Sequence, residues 1–89
     1  MSEVVWKFPI PATDDFELEM PVGAKVVHVA MQNGEPCVWA LVDPTKALEL
    51  RRFRLACTGD PITVTGDYVG TFMRWNGALM YHLFVEPAP

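Results

Sequence analysis

The residues best equipped for chemistry in this chain are three arginines in a run of four, Arg51-Arg52-Phe53-Arg54, which hold three of its seven basic groups. On an extended strand alternate side chains share a face, so Arg52 and Arg54 point one way and Phe53 and Leu55 the other. Two guanidinium groups two strand rises apart, roughly 7 Å, can clamp a phosphate or carboxylate between them. The turn Thr58-Gly59-Asp60-Pro61 follows, and Thr58 with its turn N–H groups can donate to the same anion. Trp39 or Trp75 can stack on a base, worth about 1–3 kcal/mol per base. The same arginines have a plainer reading, as a solvated pair or as partners for an acidic segment. That segment holds Asp14, Asp15, Glu17 and Glu19, of which Glu17 and Glu19 share one face of a strand.

Covalent catalysis has little to draw on. Ser2 is the only serine, in the terminal fringe, and His28 and His82 are the only histidines. A nucleophile needs a base beside it, and the one pairing within reach is Cys37 with His28 across a hairpin. The chain is expected not to be an enzyme, with Cys37, His28 and His82 as the residues to test. The carboxylates read as the wet side of an amphipathic strand or as an acidic patch for a basic partner. Neither G-x-x-x-x-G-K-[ST] nor G-x-G-x-x-G occurs. Cys37 and Cys57 with the two histidines lack zinc spacing, so no metal and no cofactor is expected; both cysteines read as free thiols, with one disulfide as the alternative in an oxidising compartment.

The elements that position these groups are short. Prolines and glycines interrupt the chain every eight to fifteen residues, which suits strands and opposes long helices. Val4 to Phe8 reads as a strand. Asp15 to Met20 alternates, with Phe16, Leu18 and Met20 on one face. Lys25 to Gln32, Asn33-Gly34 and Cys37 to Val42 read as a hairpin, because Asn-Gly accepts the positive φ of a tight turn. Both of its strands are apolar on both faces, which predicts one side against a second sheet and the other against a partner. Leu48 to Cys57 has conflicting parity: Leu48 and Leu50 share one face, Phe53, Leu55 and Cys57 the other. A β-bulge near Arg51-Arg52, or a helical start at Thr45 to Glu49, reconciles them. Ile62 to Thr65 is a short extended piece. Tyr68 to Met73 and Ala78 to Val85 form a last hairpin around Trp75-Asn76-Gly77. The fold class is all-β: a small antiparallel meander of six to seven strands closing as a barrel, roll or sandwich, one domain over residues 1–86 with a disordered tail at 87–89.

With 89 residues and 51% hydrophobic content, including three Trp, two Tyr and five Phe, the chain carries more apolar side chain than a thin core hides. A homo-oligomer is therefore expected. The net charge is -4, opposite to the basic excess of general nucleic-acid binders. No run approaches the roughly 18 apolar residues of a membrane span and no leader pattern opens the chain, so a cytoplasmic protein is expected.

Several segments are distinctive together: Trp6-Lys7-Phe8-Pro9, Met20-Pro21-Val22-Gly23-Ala24, the stretch from Gln32 to Asp43 ending in Trp39-Ala40-Leu41-Val42-Asp43, Thr58-Gly59-Asp60-Pro61-Ile62, Tyr68-Val69-Gly70-Thr71-Phe72 and His82-Leu83-Phe84. In these the chain resembles a family of small proteins encoded by phages and prophages, with no assigned activity. The resemblance implies an accessory protein that antagonises host defence without catalysis. Its leading form is capture of a small phosphorylated or nucleotide-like immune signal by Arg52, Arg54, Thr58 and Trp39 or Trp75. The alternative is a protein–protein inhibitor of a defence complex, like an anti-CRISPR, meeting a basic groove with Asp15, Glu17 and Glu19. A third is a minor structural phage protein that only self-associates.

Overall fold

Alternation and turn chemistry carry through into the computed structural model, which describes residues 3–11, 13–62 and 66–89. Among the described residues seven strands form: β1 (Val4–Pro9), β2 (Asp15–Pro21), β3 (Lys25–Gln32), β4 (Glu35–Val42), β5 (Leu48–Cys57), β6 (Asp67–Arg74) and β7 (Leu79–Val85). They make a three-stranded sheet in the order β1-β4-β3 and a four-stranded sheet in the order β2-β5-β7-β6, with every pairing antiparallel. Among the described residues no helix is present, and none is long and apolar enough to cross a membrane. The extended piece expected over 62–65 falls outside the described residues at 63–65, as does Ser2.

The architecture is a sandwich, not a closed barrel, and its order is not that of a simple meander. Only β3–β4 and β6–β7 are neighbours both in sequence and in space. Pro9 ends β1 and Pro11 follows it; Pro21 ends β2 and Gly23 follows it. Proline withholds a ladder donor and fixes φ, so the chain leaves each sheet there and crosses to the other. Asn33 and Gly34 carry φ of 51° and 80° in the expected hairpin turn.

The core lies between the sheets. Val29, Val38, Ala40 and Val42 meet Phe16, Met20, Phe53, Phe72, Leu83 and Val85 across it. Phe16 stacks on its cross-strand neighbour Phe53, with centroids 5.1 Å apart and planes 6° from parallel.

The parity conflict in β5 has a different solution from a bulge. The β2–β5 register runs without a shift from Asp15↔Arg54 to Pro21↔Leu48. Leu48 and Leu50 face solvent, and Arg51 takes the inner position, 8% exposed. Its Nη1 donates to the Ala24 carbonyl at 2.7 Å. A charged residue is tolerated inside because it satisfies a buried main-chain acceptor. The irregularities sit instead in β3, between Val26 and His28, and in β6, between Tyr68 and Gly70. These two edge strands meet where the sheets come together. The approach requires a missing side chain: a Cβ on Gly70 would stand 2.8 Å from Val29 Cγ1. Gly70→Ala is expected to cost about 1–3 kcal/mol, as overpacking does. Val29→Ala in the same chain recovers part of that loss, and non-additive urea midpoints are the check.

At the β4–β5 turn the Asp43 carboxylate accepts from the Thr45 hydroxyl at 2.7 Å and the Thr45 N–H at 3.0 Å. The hydroxyl bond first, then the backbone bond, hold Asp43 below the ordinary carboxylate range; Lys46 adds to them and burial opposes. A depressed folded pKa gives stability that is present above the unfolded value and lost as pH falls through the folded one. Asp43→Asn is therefore expected to lower Tm at neutral pH, where the carboxylate's contribution is fully present, and to flatten the acid limb of Tm against pH below about pH 4, where wild type loses it too.

Candidate functional site

Pairing with β2 and β7 sets the outer face of the four-stranded sheet. Asp15 lies opposite Arg54, Glu17 opposite Arg52, and Ala56 opposite His82. Arg52 and Arg54 share this face, as the alternation requires, and so do the acidic residues of β2. Arg54 Nε meets Asp15 Oδ1 at 2.6 Å, and Arg52 Nε stands 3.9 Å from Glu86 Oε2. The trough along them is lined by three carboxylates, Asp15, Glu17 and Glu86, against two guanidinium groups. An incoming phosphate would meet a net negative lining and would have to displace carboxylates from both arginines. Glu19 stands directly opposite Leu50 rather than an arginine.

Thr58, in the turn just after β5, joins a chain of side-chain hydrogen bonds on the same face. Its Oγ1 lies 2.8 Å from His82 Nε2, His82 Nδ1 lies 2.9 Å from Thr71 Oγ1, and Thr71 Oγ1 lies 2.5 Å from the Tyr68 hydroxyl. A neutral imidazole donates through one nitrogen and accepts at the other, so the chain runs in either of two directions. A hydroxyl beside an imidazole is the first element of a nucleophile. Here the relay ends on a phenol rather than a carboxylate, which leaves a developing imidazolium without a counter-charge. The chain orders the Thr58 turn across β5, β6 and β7. Sequence alone hid it because Thr71 and Tyr68 sit on a different strand from His82.

The expected ligand residues are not brought together. Trp39 and His28 pair on the outer face of the three-stranded sheet, with rings 5.8 Å apart, on the opposite side of the molecule from Arg52. Cys37 is buried beside them and donates weakly to the Glu35 carbonyl, at 3.7 Å. Among the described residues no three of His, Cys, Asp and Glu gather as a metal ion would need.

Trp75 belongs to a third place, the open end of the sandwich. It precedes the tight turn Asn76-Gly77, closed by the Ala78 N–H donating to its carbonyl at 3.0 Å. Trp75, Asn76 and Gly77 have φ of 52°, 55° and 85° in succession. The left-handed region is costly for an indole-bearing residue, and such strain gathers at functional positions. Trp75 is nonetheless 60% exposed, with the Arg74 guanidinium 4.9 Å from its ring centre.

Beside it lies a cleft of about 220 Å³ between the ends of the sheets. Its apolar lining is Ile10, Pro11, Pro36, Leu55, Phe72 and Tyr81, and Thr13, Asp14, Arg74 and Trp75 complete it. Phe72 and Tyr81 stack at 5.5 Å. Burial, and then the neighbouring Cys57 thiol, push the Tyr81 hydroxyl above the ordinary phenol range, with Arg74 opposing. Tyr81 thus stays neutral at physiological pH and offers both a donor and an acceptor. Leu55, Phe72, Arg74 and Tyr81 come from three strands. The only sequence signal for the cleft was Trp75 itself, beside Arg74 and before Asn-Gly.

Neither the curated proteins nor the solved structures contain a match to this chain. A family model described as a domain of unknown function, DUF7352, matches residues 1–89. The chain belongs to that family.

Proposed function

We propose that this DUF7352 protein is a non-enzymatic binding protein that holds a partner protein at the open end of its sandwich. Trp75 is the anchor, and the neighbouring cleft receives an apolar side chain of the partner. The observation that carries this reading is an indole kept 60% exposed in a left-handed backbone conformation beside an apolar cleft. Tryptophan and arginine lead the residues that dominate interface energetics, above all in desolvated pockets. Arg74 and Asp14 supply one charge of each sign, which suits a polar rim better than a phosphate cradle. The phage-type context of the sequence resemblance makes a host defence protein the natural partner class.

Nucleotide capture is the competing reading, and one experiment separates the two. In a Trp6→Phe, Trp39→Phe chain Trp75 is the only indole. Its emission is titrated with nucleotides and cyclic nucleotides, and the wild-type protein is used to select from a displayed library of random short peptides. The expected result is enriched peptides sharing an apolar anchor, which bind wild type and fail on Trp75→Ala, with emission unmoved by nucleotides. Nucleotide-dependent quenching with no enriched peptide, or peptides indifferent to Trp75→Ala, overturns the proposal.

A further inference from the structure

Strand β1 is an edge, and among the described residues no strand pairs with its outer side. It is also unusually apolar for an edge: Val4, Val5 and Trp6 are 40%, 57% and 38% exposed. Edge strands are normally guarded by several charges, bulges or inward-pointing ions. This one has a single lysine, and Pro9 at its last position, which leaves the stretch before Lys7 open within a regular register.

The direction of its main-chain groups follows from one bond. The Ile10 N–H donates to the Pro36 carbonyl at 3.0 Å, in the same register that sets Val4 opposite Val42. Antiparallel ladders alternate, so the even-numbered residues of β1 bond to β4. Glu3, Val5 and Lys7 then turn their N–H and C=O groups outward. Pro9 falls at an outward position, where its missing donor costs β4 nothing.

We infer that β1 pairs antiparallel with β1 of a second copy, about a two-fold axis through Val5. The stretch Glu3-Val4-Val5-Trp6-Lys7 is complementary to itself in that arrangement. Val5 faces Val5 of the second copy, Val4 faces Trp6, and Glu3 faces Lys7 on both sides of the axis. Each outward-facing pair is a hydrogen-bonded pair of the ladder, exchanging both N–H···O=C bonds. Opposite charges directly across an antiparallel pair stabilise it, and like charges destabilise it. The Lys7 ammonium, which already donates to Gln32 Oε1 at 2.8 Å, has two further donors for the facing carboxylate. The dimer joins two three-stranded sheets into one and removes the β1 edge of each copy. It separates Ile10 of one copy from Ile10 of the other by ten strand rises, about 34 Å. The Trp75 clefts then stand at opposite ends, arranged for bivalent engagement.

The test is the mass of the full chain at micromolar concentration, by native mass spectrometry and light scattering, beside circular dichroism to verify the fold. Wild type is expected to be a dimer. Val5→Pro removes only an outward N–H and is expected to give a folded monomer. Lys7→Glu sets glutamates opposite each other and is expected to weaken dimerisation by roughly a hundredfold. Glu3→Lys with Lys7→Glu restores the opposed charges and the dimer. A monomeric wild type overturns the inference. So does a dimer unaffected by Val5→Pro or Lys7→Glu, or a folded double variant that stays monomeric. None of these substitutions touches the Trp75 cleft, so the outcome is independent of the proposed binding role.

Discussion

Replacing Phe53 with alanine is expected to cost about 3–5 kcal/mol, the range for removing a large aromatic ring from a packed core. Phe53 is 1% exposed and sits in the middle of the second layer. It lies opposite Phe16 on β2 and opposite Val85 on β7, so one ring joins three strands. Its stacking on Phe16 adds a geometry that an aliphatic replacement cannot reproduce. A chain this size has a total stability of roughly 4–13 kcal/mol at the usual 0.05–0.15 kcal/mol per residue. The substitution therefore removes about a fifth of that stability at the least, and all of it at the low end of the range. Urea unfolding followed by circular dichroism measures it, and Phe53→Leu, which keeps most of the volume, is expected to cost less than half as much. A loss under about 1 kcal/mol for the alanine variant would mean that the rings do not meet in the core as described.

Trp75→Gly is expected to separate stability from binding. Glycine enters the left-handed region without steric penalty, which relieves about 1–2 kcal/mol. The lost contact with Arg74, at an exposed site, removes about 0.5–1 kcal/mol. Folding stability is then unchanged or slightly raised. Binding of the peptides selected on wild type falls roughly thirtyfold to a thousandfold, the scale of a hot-spot residue worth 2–4 kcal/mol. Paired melting and titration curves decide. If stability and affinity both fall, Trp75 is holding the hairpin together. If both are unchanged, the cleft is not the binding surface.

Much of the fold was legible in residue order because its strands are locally consistent. Phe16, Leu18 and Met20 alternate with Glu17 and Glu19, and β2 buries the apolar row. Asn33-Gly34 and Asn76-Gly77 carry the positive φ angles that mark tight hairpins. The run from Leu48 to Cys57 is one strand, as its length suggested. Its inner face was misread because hydrophobicity was the only guide. Arg51 points inward and Leu50 outward, because the unshifted register that buries Phe53 carries Arg51 to the same face, where its Nη1 reaches the Ala24 carbonyl.

The site was less legible. Arg52 and Arg54 do share a face, but what stands opposite them is set by strand pairing. That pairing delivers Asp15 and Glu17 from a segment more than thirty residues away in sequence. Local periodicity and turn chemistry, acting over two to four residues, are enough to determine where strands begin, end and turn. Strand order, the companions of each charge and the cleft beside Trp75 arise from contacts between residues distant in sequence. Only the packed sheets decide those, because the free energy that selects them is released when two faces bury each other.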